Sequence, residues 1–234
     1  MTEQVQRRHH RHRKVGVWDA FVKLTIGNVF TFMGWCVVAI GISILIEWGG
    51  MMAAWWAPNH SKIMLDDELS FLAAFPRNFI TGLYPGDIAV TFISGTQDLL
   101  QKLTLPAWAD GFKRAGNGFA QLIGYGLESA INTVIIFMCR LAICVSAITG
   151  FILIGLVALI DGLTERDIRK MCGGNESAMR YHHAKRFIFP SVALAFGFYL
   201  TLPITIHPAF VFLPIMLVTG LLIYTTASTF KKFL

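Results

Sequence analysis

The sequence predicts an all-α integral membrane protein: four transmembrane helices, an extracytoplasmic segment of short amphipathic helices, and a helical cytoplasmic connector. Three observations carry that prediction. First, 55% of the 234 residues are hydrophobic and only 15% are charged, a balance foreign to soluble domains. Second, four apolar runs meet or approach the roughly 20 helical residues needed to cross a hydrocarbon core about 30 Å thick. Third, the basic residues are segregated along the chain rather than scattered.

Residues 1–23 form a basic arm, with Arg7, Arg8, Arg11, Arg13, Lys14 and Lys23. Its interleaved histidines resemble a metal tract, but neighbouring arginines repel a divalent ion, and no acidic or Cys ligand lies close. The arm reads instead as a topology determinant touching anionic headgroups, each basic residue worth about 1 kcal/mol near the surface.

Leu24–Ile46 is the first span and carries no charge. It is too long for a signal-peptide core and reads as a retained anchor. Gly27, Gly34 and Gly41 recur every seven residues and keep one helix face smooth. Ala142, Ser146 and Gly150 make a similar stripe on the second span. Small residues let helix backbones approach closely in lipid, so both stripes are expected to face a neighbouring helix, in this chain or in another subunit.

Residues 47–130 hold five Lys or Arg against eight Asp or Glu. By the positive-inside rule this segment lies outside, and both termini and the connector lie in the cytoplasm. Trp48, Trp55 and Trp56 form an aromatic belt just past the first span. Phe71, Leu72, Phe75, Phe79 and Leu83 follow a helical period around Pro76, and Trp108, Phe112, Phe119 and Ile123 do the same. Tyr84-Pro85-Gly86-Asp87 reads as a turn. Two or three amphipathic helices lying at the interface or on one another are expected.

Ile131–Ile160 is the second span, interrupted only by Arg140. As one helix it would be about 45 Å long, so its outer end projects from the hydrocarbon. Arg140 is then a snorkelling arginine at the outer boundary, with Glu47 at similar depth as its expected ion-pair partner.

Residues 161–186 are the charged connector. Thr164–Met171 is expected as one short helix stopped by Gly173-Gly174, and Asn175 caps a second that runs through Tyr181–Arg186. Phe187–Ile206 and Ala209–Phe230 are the third and fourth spans, a hairpin joined at His207-Pro208. Four cysteines, none in residues 47–130, make no disulfide framework.

The chemistry of an enzyme is not legible here, and no cofactor is expected. Asp161-Gly-x-x-x-Arg166 opens like a metal-dependent lipid phosphotransferase motif, but the downstream glycine and aspartates that motif needs are missing. His182 and His183 point about 100° apart on a helix among basic neighbours, which suits no metal. There is no phosphate loop with a following Lys and Ser or Thr, so nucleotide hydrolysis is not expected either. What remains is a mixed-charge surface beside the membrane whose Arg, Tyr and His suit protein contacts.

Three runs carry a family resemblance: Asp161-Gly-Leu-x-x-Arg166-Asp-Ile-Arg169-Lys170, Gly173-Gly-Asn-Glu-Ser177, and Tyr181-His-His-Ala-Lys-Arg186. Together they resemble the hallmark of a membrane protein family encoded in integrating conjugative elements and conjugative plasmids, beside the coupling ATPase. That resemblance implies a multi-pass inner-membrane accessory of a conjugative type IV secretion system, which binds or assembles the coupling ATPase for DNA transfer. Its contact residues would be Arg166, Arg169, Arg180, Tyr181, His182, His183, Lys185 and Arg186. Membrane lipids, other secretion-system proteins and further copies of the chain are expected neighbours, with no sequence-specific nucleic-acid binding. The alternative is a small-solute transporter or channel subunit, which calls for paired intramembrane charges or broken spans.

Overall fold

The computed structural model describes the backbone of residues 17–172 and 178–230, and the side chains of residues 31–172 and 179–230. The basic arm as far as residue 16 and the Gly173–Ser177 run lie outside the described residues. The chain divides into an N-terminal unit, residues 1–38, and a second unit, residues 39–234. Among the described residues every regular element is a helix: α1 (Val17–Met52), α2 (His60–Ala74), α3 (Pro85–Lys102), α4 (Leu105–Arg114), α5 (Gly118–Met171), α6 (Ala178–Thr201) and α7 (Pro208–Ser228).

The second unit is built on α5. Its 54 residues make a rod about 81 Å long at 1.5 Å per residue, far more than a bilayer needs. Residues 131–160 and 164–171 are therefore parts of one helix, not a span followed by a separate connector helix. Asp161-Gly162 does not break it. The Thr164 hydroxyl, at the expected start of the connector helix, donates back to the Ile160 carbonyl at 3.0 Å, as a residue inside a helix does.

Helices α2, α3 and α4 pack on the first half of α5, and α7 packs on the second half, with α6 laid along α7. Close approach sets the α5–α7 seam. A Cβ on Gly162 would come 2.7 Å from the Tyr224 carbonyl and 2.7 Å from the Ala227 Cβ, and one on Gly220 would come 2.8 Å from Ile154. Beside the seam, Phe151, Phe196, Tyr199 and Phe212 form an aromatic cluster joining α5, α6 and α7, with ring centroids 5.2–6.4 Å apart. The Ser191 and Thr219 hydroxyls hydrogen-bond across α6 and α7 at 2.9 Å.

Among the described residues three helices, not four, are long and apolar enough to cross a membrane: Thr31–Met52 within α1, α5, and α7. The expected third span fails on length. The first turns of α6 carry Arg180, Lys185 and Arg186, and the helix ends at Thr201 before Pro203. Its apolar part, Phe187–Thr201, is about 22 Å long. The expected fourth span survives as α7, entered through His207, whose ring Nδ1 accepts from the Ala209 amide at 3.3 Å.

The segment between the first two spans does hold three short helices, with two departures from expectation. The Phe71–Leu83 period breaks at Pro76: the residue before a proline avoids the α region, and Phe75 is extended at φ −70°, ψ 131°. Tyr84–Asp87 is not a turn but the start of α3, with Pro85 in its first positions and Asp87 in its first turn, where a fixed φ and a negative charge favour a helix N-terminus.

Candidate functional site

Two arginine-centred clusters occupy α5, one in its middle and one at its C-terminal end. In the middle cluster the Arg140 side chain is only 2% exposed. A buried guanidinium is stable only when its donors are matched. The Arg140 Nε donates to Glu68 Oε1 of α2 at 2.8 Å, and Nη2 lies 2.8 Å from the same oxygen. Nη1 donates to the carbonyls of Tyr199 and Leu202, and Nη2 to that of Ile204 at 2.9 Å. Those carbonyls belong to the end of α6 and the residues just past it, which have no intrahelical partner and sit at the negative end of the helix dipole.

The Tyr199 hydroxyl donates to Glu68 Oε2 at 3.3 Å, and the Tyr199 ring lies 5.5 Å from the guanidinium carbon. Arg140 thus ties α2, α5 and α6 at one point. Burial pushes the Glu68 carboxyl up from its ordinary range, against the pull of Arg140 and the hydrogen bonds from Arg140 and Tyr199, so neither charge is comfortable there without the other.

The expected Glu47–Arg140 pair is not the one the fold makes. Glu47 pairs instead with His60, at 3.1 Å from Nδ1. Trp56 stacks on that imidazole at 4.7 Å and donates its indole N–H to the Glu47 carbonyl. Glu68 wins because it lies on the buried face of α2 with Ser61, Met64 and Leu72, the face turned to α5. That spacing was the missed signal: a carboxylate on a buried face requires a cation, and Arg140 is the charge inside the long apolar run.

At the end of α5 the predicted contact residues fall into two groups. Arg166, Arg169 and Tyr181 are partly buried around the end of α7. The Arg166 guanidinium lies 5.6 Å from the Phe230 ring, and the Tyr181 ring is 5.7 Å from the same ring. Arg169 donates to the Ser228 carbonyl at 3.4 Å and to Glu165 at 3.3 Å. Arg180, His182, His183, Lys185 and Arg186 are exposed on the first turns of α6. The His183 Nδ1 is 2.9 Å from the Met179 carbonyl, and Lys185 lies over the Tyr181 ring at 5.7 Å.

The two small-residue stripes do not behave alike. Ala142 is fully buried, the Ser146 carbonyl accepts from the Asn78 amide at 3.2 Å, and a Cβ on Gly150 would meet Met216 of α7 at 2.8 Å. A Cβ on Gly34 meets nothing in its own unit within 4 Å, and one on Gly41 meets nothing in the second. Gly27 lies outside the residues whose side-chain surroundings are described.

Residues 28–231 match the family described as IncC plasmid conjugative DNA transfer protein DtrJ-like. Neither the curated proteins nor the solved structures give a match.

Proposed function

Because the chain belongs to the DtrJ-like family of plasmid conjugative DNA transfer proteins, we propose that it serves that transfer as an inner-membrane accessory of the type IV secretion system, binding or seating the coupling ATPase. In this reading the spans hold the chain in the bacterial inner membrane, with the 161–186 connector on the cytoplasmic side. The proposal does not extend to catalysis or to sequence-specific DNA contact.

The observation that carries it is the division of labour at the end of α5. Arg166, Arg169 and Tyr181 clamp the end of α7, and that clamp holds Arg180, His182, His183, Lys185 and Arg186 outward as a basic surface. A rigid scaffold presenting exposed cations suits an acidic face on a partner, where charge complementarity sets specificity and association rate. The test is crosslinking in cells followed by co-purification in detergent. Arg180→Glu with Lys185→Glu should abolish recovery of the ATPase while the chain still inserts. Full recovery with the double reversal would show that the partner docks elsewhere.

The transporter reading asked for a paired intramembrane charge, and Arg140–Glu68 is a buried pair. It is built as a clamp: every guanidinium nitrogen is engaged. The cavity beside it measures about 20 Å³, room for about one water. The accessory reading is therefore the better supported.

A further inference from the structure

The loop between α2 and α3 is tied to α5 through one side chain. Asn78 reaches α5 and donates its side-chain amide to the Ser146 carbonyl at 3.2 Å and to the Thr149 hydroxyl at 2.8 Å. Its own side-chain oxygen accepts from the amides of Ile80 and Thr81. The loop is thereby pinned beside α5 and leaves a groove of about 370 Å³ between itself, α5 and α7. That volume is typical of a ligand pocket.

Its walls are almost wholly apolar, with Ile143, Ala147 and Leu153 of α5 facing Phe212 and Leu213 of α7. Both helices are long and apolar enough to span a bilayer, so whatever fills the groove comes from within the membrane. Ile143 to Leu153 is about 15 Å along the helix, the depth of one leaflet of a roughly 30 Å core.

The groove also has a charged rim. Arg77 lines it, is exposed, and has no carboxylate partner among the described residues. Its Nε donates to the Gly82 carbonyl and its guanidinium lies 6.0 Å from the Tyr84 ring, and among the described residues its terminal nitrogens make no hydrogen bond. A planar guanidinium binds phosphate oxygens two at a time. We propose that this groove is a phospholipid site, with one acyl chain lying along α5 and α7 and the phosphate held by Arg77.

The proposal rests on the membrane reading, and one preparation separates the two. The full chain is recovered from membranes of phosphatidylethanolamine and phosphatidylglycerol, washed in mild detergent, and weighed by native mass spectrometry for phospholipid retained. The unaltered chain should keep one phospholipid through washing. Ala147→Trp, which fills the groove, and Arg77→Gln, which removes the phosphate ligand from an exposed position, should each cut retention about tenfold, the loss of one charge-assisted contact or more. Lys170→Gln, a cation at the far end of α5, should leave it unchanged. Retention undiminished in Arg77→Gln, or in a monodisperse Ala147→Trp, overturns the assignment. A chain that alkaline carbonate strips from the membrane fails the membrane reading itself, whereas one that stays embedded yet keeps no lipid fails the groove alone.

Discussion

The two arginine clusters of α5 do the same job in different dielectrics. Arg140 neutralises the end of α6, and Arg169 reaches the end of α7. Arg140 and its carboxylate are 2% and 0% exposed, whereas Arg169 and Glu165 are 29% and 41% exposed. In the middle of α5 the charges have lost their water and depend on each other. At its end, the Arg169–Glu165 pair stays partly in solvent. The first cluster is an architectural joint, and the second is a surface that is partly architectural and partly free to meet something else.

The largest effect is expected where the charges are driest. Breaking a buried pair by removing one partner costs about 3–5 kcal/mol, because the other charge is left stranded. Arg140→Ala and Glu68→Ala should each lower the thermal midpoint in detergent steeply. The double change Arg140→Met, Glu68→Met should recover much of the loss, since an apolar replacement of both partners is often near neutral. A double change that loses the sum of the two single losses would mean the partners act independently, and the contrast with Arg169 would collapse.

The α5–α7 seam sharpens the same contrast with packing in place of charge. A Cβ on Gly162 meets α7 backbone at 2.7 Å, whereas one on Gly41 meets nothing in its unit. Gly162→Leu should cost about 1–3 kcal/mol from overpacking, measured as the loss of thermal midpoint. Gly41→Leu should stay within about 0.5 kcal/mol for the isolated chain, the usual range away from contacts. A large loss from Gly41→Leu that appears only in oligomeric fractions would assign that face to another subunit.

These differences show what was legible in the sequence and what was not. The helical class, the membrane-length runs and the α6–α7 turn at His207-Pro208 follow from composition and local chemistry, which a single segment carries by itself. The span count failed at α6 because apolar content does not fix helix ends, and the charged first turns with Thr201 as the last residue leave too little greasy length. The small-residue stripe of α5 pointed to Gly150 and the glycine heptads to α1, but the rest of the seam lies at Gly162 and Gly220, whose roles depend on α7 being the neighbour. Glu68 was within reach of reasoning, as the charge on a buried face. Asn78 was not, because a loop pressed against a helix leaves no periodicity.

The smallest expected effect is the one that tests the comparison from its weak side. Arg169 makes one long contact to the Ser228 carbonyl and one i to i+4 contact to Glu165, both in partial solvent. Exposed pairs of this kind contribute about 0–1 kcal/mol, and salt screens them further. Arg169→Ala should therefore shift the thermal midpoint little, and less still at high ionic strength, while Arg166 and Tyr181 keep the end of α7 in place against Phe230. Its effect on ATPase recovery should also be small, because the exposed cations of α6 stay where they are. If Arg169→Ala instead costs as much as Arg140→Ala, water does not reach the end of α5. The 161–186 surface would then be buried in the working assembly, and its cations would be joints like Arg140 rather than a free docking face.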